Sequence, residues 1–123
     1  MDPERRKLIR SLFFPAIFVF AIWFVKALEV ILDTSFARYG LSPMQWQGLP
    51  GILTMPLIHS GWNHLFANSI PLFLLAFLLF YSYREIAWKV LILIYLLSGL
   101  WVWFLGEFGS THIGASGVVY GLA

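Results

Sequence analysis

The sequence predicts an all-α integral membrane protein, a helical bundle of three complete transmembrane helices and the start of a fourth. Three observations carry this. Of the 123 residues, 60% are hydrophobic and only 11% charged, against about 25% charged in a soluble domain. Mean hydropathy is +0.82. The apolar residues fall in runs long enough to cross a bilayer, and the basic residues flank those runs.

Residues 1–10 form a basic N-terminus, with Arg5, Arg6, Lys7 and Arg10, expected on the cytoplasmic side. The apolar run that follows lacks an A-x-A-like cleavage site and is too long and bulky for a signal peptide. It reads as a retained span over 11–32, about 33 Å of helix against a bilayer core of about 30 Å. Lys26 and Glu29 lie three apart in its last third, placed to pair while Lys26 reaches toward the interface. Pro15 is expected near the helix start.

Residues 33–60 form an outer loop. Gly40, Pro43, Gly48, Pro50, Gly51 and Pro56 break any spanning helix. The segment is nevertheless rich in Leu, Ile, Met and Trp, so short helical pieces lying in the interface are expected, with Trp46 at headgroup level. A second span covers 61–81, and Pro71 predicts a loosening near Ala67. After the turn at Tyr81–Glu85 come a third span over 86–105, a loop, and a fourth helix starting in 114–123.

Arg5, Arg6, Lys7, Arg10, Arg84 and Lys89 then share one side, and only Lys26 and Arg38 approach the other. The positive-inside rule makes the first side cytoplasmic. His59, His64 and Asn68 descend from the outer surface, and Ser116 enters from that same surface, so polar groups of two spans reach one depth. The fourth span has too few residues to cross, and the sequence reads as part of a longer chain. Small-residue faces on the third and fourth spans are expected to stay open for later helices.

No cysteine is present, which excludes disulfides, zinc–thiolate sites and thiol nucleophiles. No metal or cofactor is expected. The basic residues form no patch, so nucleic-acid binding is not expected either. Polar groups in a span are costly and mark either a site or interhelical hydrogen bonds. His64 and Asn68 are one helical turn apart on one face. His59 lies about 140° away, or in the loop just above. In GASGVVYG, Gly117 and Gly121 make a GxxxG packing step. That step leaves Ser116 unexplained: a serine among small neighbours at a helix start, with its own N–H unpaired.

Taken together, HSGWNHLFANSIPL and HIGASGVVYGLA closely resemble the rhomboid family of intramembrane serine proteases. The matching pattern is His-x4-His-x3-Asn, at His59, His64 and Asn68, followed by Gly-x-Ser-Gly, at Gly114, Ser116 and Gly117. The resemblance implies a partial rhomboid-like helical domain over 11–123 with Ser116 as nucleophile. It implies an oxyanion hole from His64, Asn68 and the Ser116 N–H, with His59 lining the site and Tyr120 packing near the catalytic histidine. The family uses a Ser–His dyad whose base lies on a sixth helix, beyond residue 123, so these residues alone are expected to be inactive. His112 reads as a loop histidine. The implied function is endoproteolysis of transmembrane protein substrates near the outer surface of a membrane, the bacterial inner membrane being the expected one. The alternatives are an inactive rhomboid-like protein that binds transmembrane clients, and a purely structural bundle. Oligomeric state is not readable.

Overall fold

The computed structural model describes all 123 residues. It is all-α, with a single isolated β-bridge. Helix α1 spans Pro3–Ile31, α2 Gly51–Thr54, α3 Trp62–Ser82, α4 Arg84–Leu105 and α5 Ser116–Leu122. Three of these, α1, α3 and α4, are long and apolar enough to cross a membrane.

Helix α1 is longer than hydropathy alone indicates. Pro3 occupies its first turn, where a missing N–H costs nothing and φ is already helical. The basic stretch therefore forms the first turns of α1 and is not a separate segment. Pro15 consequently sits well inside the helix, buried in the bundle. Helix α3 runs unbroken through Pro71, and one residue, Tyr83, separates it from α4.

In a lipid environment apolar surface alone does not drive helices together; close packing and interhelical hydrogen bonds do. Both are present. Helix α1 packs along α3, where the Trp23 Nε1–H donates to Ser69 Oγ at 2.9 Å and Ser69 Oγ donates to the Leu65 carbonyl at 2.6 Å. Helix α5 wedges between α3 and α4. The core includes Phe18, Ile22, Leu65, Leu72, Phe80, Leu91 and Val118. The opposite faces, with Phe13, Phe20, Phe24, Leu74, Leu78, Leu93 and Trp101, stay exposed, as on helices that meet lipid.

The small-residue faces are only partly covered. A Cβ on Gly117 would lie 3.4 Å from Ser98 Cβ, one on Gly121 would lie 2.5 Å from Ile94 Cγ2, and one on Gly99 would lie 2.6 Å from Ile52 Cγ2. Packing of α4 against α5 and against the loop covers part of these faces, while Gly121 stays exposed and Gly117 lines an open cleft with Ser98 and Trp101, as expected.

Loop 33–60 is a folded layer. Short 3₁₀ turns at Ala37–Tyr39, Trp46–Gly48 and Met55–Leu57 flank α2. Leu41, Ile52, Met55 and Trp103 form a second small core. The Trp103 Nε1–H donates to the Gln45 carbonyl at 3.0 Å. Leu41 and His112 exchange backbone hydrogen bonds at 2.9 and 2.8 Å, tying this loop to the one before α5.

Candidate active site

The start of α5 is fixed by three neighbours. Gly114 adopts φ +110°, a conformation that residues with a Cβ rarely take. Its N–H donates to the Met55 carbonyl at 2.8 Å. The next N–H, of Ala115, donates to His59 Nε2 at 3.2 Å. The third, of Ser116, heads the helix and has no intrahelical acceptor.

His64, in the first turn of α3, faces the same spot. A Cβ on Gly114 would lie 2.7 Å from His64 Cε1 and 2.9 Å from Nε2. Glycine is thus required twice over, by its φ and by the imidazole pressed against it. On the other edge of the ring, Nδ1 receives the Ser60 N–H at 3.4 Å and lies 3.2 Å from Ser60 Oγ. An Nδ1 that accepts assigns the proton of the neutral ring to Nε2. The donor edge of His64 is therefore the one beside Gly114, two residues before Ser116.

His59 lies in the loop just before α3, its ring centroid 4.9 Å from that of His64. It is 2% exposed. Burial first, then the neighbouring His64 and Lys26, push its pKa down to about 4, with the Leu57 backbone opposing weakly. Nδ1 has no hydrogen-bond partner. A neutral ring fits its role as acceptor of the Ala115 N–H.

Asn68 is buried one turn below His64, and its Nδ2 donates to the His64 carbonyl at 3.2 Å. One amide hydrogen is thus turned back on its own helix, leaving the second free. Ser116 is partly buried, its hydroxyl unpaired with any histidine. Tyr120, one turn after Ser116, is 81% exposed and lines a surface cleft with Ser98, Trp101 and Gly117. His112 sits in the loop, Nε2 at 3.0 Å from Ser110 Oγ.

The structure therefore packs His59 and His64 against Ala115 and Gly114, the two residues before Ser116, and puts Asn68 one turn below His64. Sequence reasoning missed the brace behind them. Lys26 Nζ donates to the carbonyls of His59 and Ser60 at 3.4 and 3.3 Å and lies 3.9 Å from Glu29 Oε1. Glu29 Oε2 accepts the Phe36 N–H at 3.0 Å. The i,i+3 spacing announces the ion pair, but nothing local announces that it anchors the histidine loop. Ser60, which orients His64, carried no signal beyond its neighbours.

Helices of bilayer length, a folded interfacial loop and a helix start packed on a histidine pair define an α-bundle built to cross a membrane, with a polar cluster at one end. The Rhomboid domain family model matches residues 42–123, and the chain belongs to the rhomboid family. It is similar to an uncharacterized protein of Mycobacterium tuberculosis, 36% identical over 110 residues, spanning 85% of this chain and 45% of that one. An uncharacterized protein of Mycobacterium leprae is 30% identical over 109 residues, spanning 85% and 43%. The chain thus spans about half the length of these curated relatives. No solved structure matches.

Proposed function

We propose that the whole protein is an intramembrane serine endopeptidase that cuts transmembrane protein substrates near the outer membrane surface. Ser116 Oγ attacks the scissile carbonyl. Negative charge on the tetrahedral oxygen is met by the His64 Nε2–H, the free Asn68 amide hydrogen and the Ser116 N–H. What supports this most is the placement of the His64 donor edge against Gly114. A positioned donor of this kind accelerates acyl transfer because it needs no reorganisation as charge develops.

The general base is assigned to a histidine outside these 123 residues. His59 Nε2 already accepts the Ala115 N–H, and His112 is engaged by Ser110 in the loop. His64 serves as a donor. Substrates are expected to carry helix-breaking residues at the cut, since an intact helix hides its carbonyls in its own hydrogen bonds. Basic residues at the start of α1 and at the α3–α4 turn support a cytoplasmic N-terminus, and the mycobacterial relatives favour a bacterial plasma membrane.

The test is cleavage of a single-span substrate by the full-length protein in liposomes. Wild type is expected to cut and Ser116→Ala to be inert. Equal cutting by both would discard the mechanism, and binding without cutting by both would identify a client-binding rhomboid-like protein instead.

A further inference from the structure

Far from the histidines, a cleft opens between α1 and α4. Its foot lies where α1 begins and α3 turns into α4. Arg10 and Arg84 line it there with Phe14, Phe80 and Trp88, enclosing about 400 Å³. Above, sharing Phe14 and Trp88, a second compartment of about 270 Å³ has an entirely hydrophobic wall that includes Phe18, Leu91, Ile92 and Tyr95. The two shared rings meet edge-on at the junction, with centroids 4.4 Å apart. Leu53 of α2 roofs the top, where the Tyr95 hydroxyl donates to the Leu53 carbonyl.

The dimensions match one leaflet. From Arg84 to Tyr95 is eleven residues of helix, about 16 Å, and half of a bilayer core is about 15 Å. Charge matches as well. The single ion pair in the structure is Lys26–Glu29, so both guanidiniums at the foot are free to meet an anion, and their planar forks suit phosphate. A later helix or a second copy fits poorly. Transmembrane helices pack closely through small residues, yet these walls are Phe, Trp, Leu, Ile and Tyr. A protein face over the foot would also bury two unpaired charges.

We propose that this cleft binds one anionic phospholipid, its phosphate between Arg10 and Arg84 and one acyl chain running past Phe18 and Leu91 to the Leu53–Tyr95 roof. The site is independent of the proteolytic reading.

The experiment is native mass spectrometry of the purified full-length protein from micelles containing equal dioleoyl-phosphatidylglycerol and dioleoyl-phosphatidylcholine. One retained phosphatidylglycerol is expected, preferred about 25-fold, since each surface arginine contributes about fivefold. Arg10→Gln/Arg84→Gln is expected to abolish the preference, whereas Arg5→Gln/Arg6→Gln, the same charge change outside the cleft, leaves it. Ile92→Trp, at an exposed position of the upper wall, is expected to lower retention of both lipids. Equal retention of the two lipids by wild type, an equal effect of the two double variants, indifference to Ile92→Trp, or a dimer carrying no lipid would each overturn the proposal.

Discussion

Two surfaces of one short segment, residues 114–122, are built from the same residue type for different ends. At its start, Gly114 is pressed on a histidine ring, and the backbone on either side is held by hydrogen bonds to Met55 and His59. Further along, Gly117 and Gly121 lie against Ser98 and Ile94 of α4. The first surface seats the start of α5 on a histidine pair and the second only brings two helices close. A glycine-rich stretch in a span is therefore not one feature, and substitutions along it separate the two roles.

The largest effect is expected at Ser116: Ser116→Ala removes proteolysis by the full-length protein while its thermal midpoint stays within a degree or so of wild type. Asn68→Ala, which deletes one proposed donor, is expected to lower kcat about a hundred- to a thousandfold. KM stays nearly constant, because the lost interaction belongs to the transition state. A change in KM alone would reassign Asn68 to substrate binding.

Next comes Gly114→Ala, a change at the histidine-facing surface. It costs roughly 1–3 kcal/mol for backbone strain and a further ~1–3 kcal/mol for overlap with His64. On the packing surface the contrast is graded. Gly121→Ala meets a movable Ile94 methyl and costs about 1 kcal/mol. Gly117→Ala meets Ser98 at ordinary contact distance and stays within about 0.5 kcal/mol. Denaturation in mixed micelles checks the order; Gly117→Ala as damaging as Gly114→Ala would erase the distinction.

The His59–Ala115 bond adds a pH signature. His59 is held at a pKa of about 4 against an ordinary 6.5, so the unfolded chain binds the proton more readily. Stability from this site is complete above about pH 6.5 and falls as pH drops toward 4, by roughly 3 kcal/mol at most. His59→Asn is expected to flatten the thermal midpoint across that window.

The three long helices were legible because lipid demands continuous apolar runs, and apart from the start of α1 their ends lie within two residues of the ends of those runs. The start of α1 was not, because hydropathy reports where lipid begins, whereas a helix begins where its first N–H groups can be spared, at Pro3. The histidines that pack against Gly114 and Ala115 were legible as a pattern of types and spacings. Their support was not: the Lys26 contacts to the His59 and Ser60 carbonyls join residues more than thirty positions apart, and no local periodicity encodes them. The part of the small-residue faces that α4 and α5 cover for each other was also hidden, since a GxxxG step names a packing surface without naming its partner.

One measurement bears most directly on the assembly of a reactive serine beside the α3 histidine: labelling of the full-length protein in membranes with a fluorophosphonate probe, the adduct located by peptide mass spectrometry. The expected result is a single adduct on Ser116, absent from Ser116→Ala and strongly slowed in His64→Ala. An unlabelled protein that still cleaves its substrate, or labelling undiminished in Ser116→Ala, would contradict it.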